Sequence, residues 1–160
     1  MLRKPAGQPP PAGVQYGALP YRRVEADAAL EVLLITSRRS KRWIIPKGWP
    51  IDGLAPGETA AREAFEEAGV RGRVGRSLGN FTYDKLSPDR SSSRLCEVEV
   101  FPLAVRRQLK QWPEAGEREA RWCSMDEALS IVAEAGLRDL IRALDELKAA
   151  SQGKRRQRRG

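Results

Sequence analysis

Three carboxylates, Glu63, Glu66 and Glu67, recur at helical spacing in the middle of the chain. Residues three and four apart lie on one face of a helix, where like charges repel and cost roughly 0.2–0.5 kcal/mol per pair. A divalent cation between them would remove that repulsion, and Mg²⁺ prefers oxygen ligands while keeping positions for water and phosphate. The pattern therefore indicates either a magnesium site or an ordinary solvated helix face.

The helix that would carry these carboxylates has two recognisable ends. Pro56 suits the first helical position, and Gly69 suits the position just past the last turn. The apolar residues that share a face at helical spacing are Ala61, Ala64, Phe65 and Ala68. We therefore expect a short helix that buries this stripe and presents the carboxylates on another face.

The composition excludes several kinds of chemistry. The 160 residues contain no histidine, so carboxylates, lysines and bound water must do any acid–base or metal chemistry. Cys96 and Cys123 make neither a disulfide framework nor a zinc site, and both are predicted to be buried free thiols. No apolar run approaches the length of a membrane span, and the first residues lack the apolar segment of a secretory signal. A cytoplasmic protein of one domain is expected.

Positive charge is concentrated at the carboxyl end. The formal net charge is +8. Five of these charges come from Lys154, Arg155, Arg156, Arg158 and Arg159. A basic arm of this type binds phosphate backbones non-specifically, which predicts weak nucleic-acid contact, whereas the simpler alternative is a solubilising end. A polyanionic substrate held between a metal and basic groups of the remaining body fits the charge balance.

The chain divides by composition into three parts. A Pro- and Gly-rich leader covers residues 1–13, a single domain covers 14–150, and a basic disordered tail covers 151–160. A turn is expected at Asp27 and Ala28. The loop 37–42 is basic, and it is either a solubilising turn or a phosphate-contacting loop.

The order of the predicted elements indicates an α/β fold. Strands are expected at 14–24, 31–36, 43–46, 74–85 with a break at Gly79, 94–105 and 119–124. The near-continuous apolar run 31–36 suggests a strand covered on both faces. Helices are expected at 125–135, where Ser124 and Glu127 match a capping box, and at 137–150. This order implies a mixed sheet between helices.

Seven residues stand at the spacing of a known motif, the Nudix box. They are Gly48, Arg62, Glu63, Glu66, Glu67, Gly69 and Val70. The segment 16–147 therefore resembles the Nudix hydrolases, which implies an α/β/α sandwich with a central mixed sheet. One position departs from the motif, because Leu54 stands where the family has its first glutamate. Glu58 lies four residues later, and it precedes Arg62 by four residues, an orientation that supports the helix.

Short matches outside the box are similar to one subgroup, the diphosphoinositol polyphosphate phosphohydrolases. They comprise residues 31–39, the run Trp43-Ile44-Ile45-Pro46, residues 74–81, and Trp122 with residues 125–128. The subgroup implies a highly anionic substrate, either a diphosphoinositol polyphosphate or a dinucleoside polyphosphate. Lys47 stands where the subgroup usually has glycine, as in Nudix enzymes that act on dinucleoside polyphosphates. The alternatives are an enzyme for ADP-ribose or another nucleoside diphosphate derivative, and an RNA- or polyphosphate-binding protein with a degenerate site.

The resemblance also implies roles for individual residues. Glu63, Glu66 and Glu67, with the Gly48 carbonyl, are expected to hold Mg²⁺, or Mn²⁺ in its place, so that a bound water attacks phosphorus. Glu66 or Glu67 would accept the proton, and Arg62 would position a glutamate. The candidate phosphate-binding residues are Lys47, Arg38, Arg39, Arg42, Lys85, Arg90 and Arg94. A further acidic ligand could be Asp84, Glu97 or Glu99. The family also implies a monomer or a homodimer.

Overall fold

The computed structural model describes residues 13–25 and 29–159, and only the backbone of 152–159. In chain order the elements are β1 (Val14–Arg23), β2 (Leu30–Thr36), β3 (Trp43–Ile44), β4 (Lys47–Gly48), α1 (Pro56–Ala68), β5 (Val70–Val74), β6 (Gly79–Leu86), β7 (Ser93–Gln108), β8 (Ala120–Ser124), α2 (Met125–Ile131) and α3 (Ala135–Arg159). The predicted leader, apart from Gly13, and the turn at Asp27 and Ala28 lie outside the described residues. No helix of the described chain is long and apolar enough to cross a membrane.

The strands form one mixed sheet, as the sequence predicts. Its main order is β3-β2-β1-β7-β5, while β4 pairs with β1, β6 with β7 and β8 with β2. Strands β1 and β7 run parallel, and the other pairings are antiparallel. Because β1 and β7 lie at the centre, residues far apart in the chain meet there.

Two apolar clusters on opposite faces hold the helices against the sheet. One cluster joins α2 and α3 to the sheet through residues such as Leu34, Val98 and Ile141. The other joins α1 through residues such as Leu33 and Leu103. Alternate residues of β2 enter the two clusters, which confirms the prediction of a strand covered on both faces. The α/β sandwich is confirmed.

Helix α1 has the predicted ends but buries a different stripe. Pro56 is its first residue, and Gly69 caps the helix at a φ of 68°, a left-handed conformation that glycine adopts without strain. The fully buried alanines are Ala60, Ala64 and Ala68. Ala61 and Phe65 are only half-buried, which corrects the predicted inward face. The Arg71 guanidinium lies 4.1 Å from the Phe65 ring centroid and covers that side chain from outside the core.

Several predicted boundaries are wrong. The strand expected at 74–85 is two strands: β5 ends at Val74, residues 75–78 connect, and β6 begins at Gly79, which adopts a φ of 120°. Helix α2 ends at Ile131 rather than at 135, because Val132 is already extended. Helix α3 continues to Arg159, so the backbone of the predicted disordered tail is helical up to that residue. Lys, Arg and Gln are good helix formers, and the single glycine at 153 is insufficient to stop the helix.

Local predictions elsewhere hold. Ser124 accepts a hydrogen bond from the Glu127 amide and the Glu127 carboxylate accepts one from the Ser124 amide, which confirms the capping box of α2. Cys96 and Cys123 are buried free thiols, as predicted. The apolar stripe of α3 is buried at Leu137, Leu140, Ile141 and Leu144.

Candidate active site

The carboxylates of α1 lie against the short strand β4. The Lys47 amide donates a hydrogen bond of 3.1 Å to Oε2 of Glu67, whose side chain is almost fully buried. Gly48 follows directly, and a β-carbon at this position would lie 2.4 Å from the carboxylate of Glu63. A side chain at position 48 would displace the Glu63 carboxylate, so glycine leaves that carboxylate its place against β4.

Arg118 is the main partner of Glu67, and no local pattern in the sequence distinguishes it. Its Nη2 lies 3.3 Å from Oε1 of Glu67, and its Nε donates to Oε1 of Glu114 at 3.2 Å. Its Nη1 donates to the carbonyl of Thr36 at 3.1 Å. The arginine is only 10% exposed, so these contacts are shielded from solvent. Arg118 therefore connects the end of β2, the loop 109–118 and the box helix.

Loop 109–118 is attached directly to α1. The Leu109 amide donates to the Gly69 carbonyl at 2.8 Å, and the Glu114 amide donates to the Glu66 carbonyl at 3.0 Å. The Trp112 ring packs on Gly69, where a β-carbon would lie 2.4 Å from a ring atom. The carboxyl end of α1 and the two acidic residues Glu67 and Glu114 are thus held in one arrangement.

The carboxylates carry more negative charge than their surroundings neutralise. Burial, together with repulsion from Glu67 and Glu66, raises the pKa of Glu63 to about 7. Burial also raises the pKa of Glu67 to about 7, although Arg118 and the Lys47 amide act in the opposite direction. A bound cation would relieve this cost by favouring the ionised carboxylates.

The other box residues have more modest contacts. Arg62 Nη1 lies 3.8 Å from Oε1 of Glu66 on an exposed face, a weak ion pair. Glu58 accepts a 2.9 Å hydrogen bond from the Ala55 amide and so caps the helix. Leu54 is half-buried, and its amide donates to the Ile51 carbonyl. Glu58 therefore supports the start of α1 in a loop that lacks the usual first glutamate.

A cavity of about 650 Å³ opens beside Glu67. Six of the seven predicted phosphate-binding residues line it: Arg38, Arg39, Arg42, Lys47, Lys85 and Arg90. Arg118 is a seventh cationic lining residue, and Glu67, Asp84 and Glu134 are the acidic ones. Arg94 does not line the cavity; it lies exposed on β7, opposite Lys85.

Most of these cations are held by a partner. Arg38 pairs with Glu114, and Arg42 pairs with Glu134. The Lys47 ammonium lies 4.8 Å from the Tyr83 ring centroid, and the Lys85 ammonium lies 5.0 Å from that of Trp49. Burial lowers the pKa of Lys47. The cavity therefore presents cations whose positions are largely fixed.

The acidic residues proposed outside the box occupy different places. Asp84 lines the cavity, Glu97 accepts a hydrogen bond from the Asn80 amide group at 2.8 Å, and Glu99 is half-buried on β7. Two further acids were missed: Glu114, which pairs with Arg118, and Glu134, which pairs with Arg42 in the cavity lining. Both come from loops that meet arginines of the cavity lining only in the folded chain.

The donor chemistry at the box fits a hard divalent cation. Carboxylates and a backbone carbonyl are ligands that Mg²⁺ accepts, and burial raises the pKa of two of the carboxylates, a cost that a bound cation would offset. Within residues 13–25 and 29–159, no three His, Cys, Asp or Glu side chains already converge as a cation site. Glu67 is instead engaged by Arg118.

Comparison with known proteins agrees with this geometry. The NUDIX domain family matches residues 18–144. Nudix hydrolase 21, chloroplastic, from Arabidopsis thaliana is 34% identical over 139 residues, covering 85% of this chain and 68% of that protein. Diphosphoinositol polyphosphate phosphohydrolase 3-beta from Bos taurus is 36% identical over 105 residues, covering 64% of this chain and 60% of that protein. The chain spans about two thirds of the length of the first curated relatives.

A solved structure supports the fold. The C. elegans Ap4A hydrolase binary complex superposes with a TM-score of 0.63 at 20% identity, covering 86% of this chain and 98% of that one. The predicted fold and the predicted class of enzyme, a pyrophosphohydrolase of the Nudix type, are both confirmed. The chain belongs to the Nudix hydrolase family.

Proposed function

We propose that this chain hydrolyses a phosphoanhydride bond in a small, highly anionic substrate. The observation that carries the proposal is the cavity of about 650 Å³, which is lined by Glu67 together with seven cationic side chains. Concave sites of this size accommodate a small ligand, and clustered cations attract and orient phosphate groups. A carboxylate from the Nudix box on the same wall places acid–base chemistry beside the bound phosphates.

The box supplies the metal ligands in this proposal. Glu63, Glu66 and Glu67, with the Gly48 carbonyl, would hold Mg²⁺, with Mn²⁺ as a substitute. The ion would supply charge neutralisation at the phosphate oxygens and would acidify water. The carboxylate of Glu66 or Glu67 accepts the proton of the attacking water. Glu67 lines the cavity, whereas Glu66 lies on the more exposed side of α1.

Two arginines act on the glutamates rather than on the substrate. Arg62 pairs weakly with Glu66, in agreement with the positioning role expected for it. Arg118 holds Glu67 and Glu114 together and is anchored to the Thr36 carbonyl. We assign Arg118 as the stronger positioning residue, because its side chain is more deeply buried and has three partners.

The cavity favours a diphosphoinositol polyphosphate over a dinucleoside polyphosphate. A substrate with bases needs aromatic faces on which they can stack. Of the two aromatic lining residues, Tyr83 has the Lys47 ammonium over one face, and Phe81 is almost fully buried. A compact ring that carries many phosphates can contact most of the lining cations and needs no aromatic face for stacking. The relative from Bos taurus is named for this class of substrate.

Two alternatives follow from the same residues. ADP-ribose and other nucleoside diphosphate derivatives carry few phosphate charges, so they would contact fewer of the seven lining cations. An RNA- or polyphosphate-binding protein with a degenerate site would exploit Leu54, which replaces the first glutamate of the box. A degenerate site should show a damaged box. Here Glu58 still caps α1 and Glu67 still lines the cavity, so the geometry of the box does not favour this second alternative.

A substrate panel tests the proposal. Phosphate and nucleotide release would be measured from diphosphoinositol polyphosphates, diadenosine polyphosphates, ADP-ribose and nucleoside triphosphates, with and without Mg²⁺. We expect metal-dependent turnover that is fastest on the first class. Preferred turnover of ADP-ribose would replace the substrate assignment. No turnover on any member, in a protein that binds Mg²⁺, would support the binding-protein alternative.

Location, assembly and the role of the carboxyl end belong to the same proposal. We propose a cytoplasmic monomer or homodimer with weak nucleic-acid contact through residues 151–160. Deleting these residues should leave turnover intact and abolish retention of a short RNA at low salt, measured by fluorescence anisotropy. Unchanged RNA retention would show that the tail does not bind nucleic acid. Subcellular fractionation and light scattering would decide location and assembly.

A further inference from the structure

A second cavity, of about 680 Å³, lies apart from the box carboxylates. Four of its lining side chains are cationic: Arg73, Arg76, Arg106 and Lys148. Within the part of the chain that the structure describes, no carboxylate lines it, and it shares no lining residue with the first cavity. Its charge is therefore of one sign, whereas the first cavity mixes cations with three acids.

Four separate elements bring these cations together. Arg73 lies on β5, Arg76 in the following connection, Arg106 on β7 and Lys148 on α3. In the pairing of β5 with β7, Arg71 is opposite Arg107 while Gly72 is opposite Val105, so Arg106 is the extra residue of a β-bulge. A bulge redirects a side chain, and this one turns an arginine of a long inner strand towards the cavity.

The cations of this cavity lack neutralising partners. Among the described side chains, none of Arg73, Arg76 and Arg106 forms an ion pair with a carboxylate. Nearby, Arg71 and Arg107 are directly opposite in the ladder, and like charges in that position destabilise a sheet. Neither of these two arginines lines the cavity, so an anion bound there would instead offset the mutual repulsion of the four lining cations.

Protection of a sheet edge explains only part of this arrangement. Charged residues on an edge strand prevent pairing with another sheet, and β5 is an edge strand with two exposed arginines. Arg106, however, lies on the inner strand β7, Arg76 follows the strand, and Lys148 comes from a helix. Three of the four cations are thus at positions that edge protection does not require.

We propose that this second cavity binds a compact oligophosphate. Arginine presents a planar fork of donors that matches phosphate oxygens, and three of the four cations are arginines. The one aromatic lining residue, Tyr21, has the Lys148 ammonium 5.2 Å from its ring centroid. The Lys148 ammonium covers one face of this single ring, and the other charged lining residues are all arginines, which favours a phosphate chain or a phosphorylated small molecule over a nucleic acid.

Calorimetry with inorganic tripolyphosphate tests the site on the full chain, in metal-free buffer without phosphate. Three double variants are compared with the wild type. Arg73→Ala with Arg106→Ala changes the second cavity, and Arg39→Ala with Arg90→Ala changes the first. Lys110→Ala with Arg142→Ala removes the same charge outside both cavities. Thermal unfolding checks that each variant is folded, and Arg76→Ala with Lys148→Ala replaces the strand variant if that one fails to fold.

We expect the wild type and the control variant to bind about two tripolyphosphates per chain, one in each cavity. The second-cavity variant should lose one of them, with at least about a tenfold drop in affinity, and the first-cavity variant should lose the other. The proposal is overturned if the second-cavity variant binds like the control. Tighter binding of a short single-stranded oligonucleotide than of tripolyphosphate in that cavity would also overturn it. Neither result depends on turnover, so failure here leaves the proposed hydrolysis intact.

Discussion

The two cavities have nearly the same volume, about 650 and 680 Å³, and both are lined by cations. They differ in what holds those cations. In the first, Arg38, Arg42 and Arg118 pair with carboxylates, and Lys47 and Lys85 lie over aromatic rings. In the second, the arginines have no ion-pair partner among the described residues, and only the lysine contacts a ring.

This difference fits the two proposals, hydrolysis in the first cavity and reversible anion binding in the second. Catalysis needs groups whose positions are set before the substrate arrives, and the paired network of the first cavity provides that order. Unpaired cations stay hydrated and repel one another until an anion binds. This arrangement suits reversible binding. The carboxylates of the first cavity are the second distinguishing feature, since they can hold a metal and accept a proton.

The proposed difference between the two cavities depends most on a catalytic role for Glu67. Glu67→Gln should lower kcat by about 10³-fold, because it removes a metal ligand and a candidate proton acceptor from the cavity wall. Gln is close in size, so the fold should persist by circular dichroism. Glu58→Gln, which alters only the cap of α1, is the matched control and should lose less than about threefold. Near-normal turnover in Glu67→Gln would contradict the assignment.

The next largest effect should come from Arg118. Arg118→Ala leaves Glu67 and Glu114 buried without their shared partner, so stability should fall by about 3 kcal/mol. Mg²⁺ affinity, measured by calorimetry without substrate, should fall about tenfold because Glu67 loses its orientation. Arg118→Lys should recover part of both. Tighter Mg²⁺ binding in Arg118→Ala would show that the arginine competes with the ion instead of positioning its ligand.

A smaller effect distinguishes cavity cations from ordinary surface charges. Arg39→Ala should raise KM for a diphosphoinositol polyphosphate about tenfold with little change in kcat, because a phosphate contact is lost before and during the reaction alike. Arg94 lies outside the cavity, so Arg94→Ala should change neither KM nor kcat. Equal effects from the two variants would mean that net charge, rather than the cavity, attracts the substrate.

The last effect is a pH dependence that belongs to the first cavity. Burial raises the pKa of Glu67 to about 7, so between its ordinary value of 4.5 and 7 the metal-free folded protein holds a proton that the unfolded chain has released. Stability from this group is therefore complete below that window and is lost as the pH rises through it, by about 3 kcal/mol. Urea unfolding at about pH 5 and pH 8 should show a shallower pH slope for Glu67→Gln than for the wild type. Identical slopes would contradict the raised pKa.

Local patterns predicted the parts of the site that lie close together in the chain. The ends of α1, the capping box of α2 and the carboxylates Glu63 and Glu67 follow from spacing and from the chemistry of each residue. Arg118 and Glu114 could not be found this way, because they reach the box through a loop some fifty residues later. The bulge that exposes Arg106 depends on how β5 pairs with β7, and no run of residues encodes that register.

The most direct test of the central claim is a competition between substrates. Equal amounts of a diphosphoinositol polyphosphate and diadenosine tetraphosphate would be mixed with the wild-type protein, and both would be followed by ³¹P NMR. We expect Mg²⁺-dependent loss of the first at least about ten times faster than of the second, because the cavity offers cations rather than stacking faces. Consumption of the dinucleotide alone, or of neither compound with Mg²⁺ present, would contradict the claim.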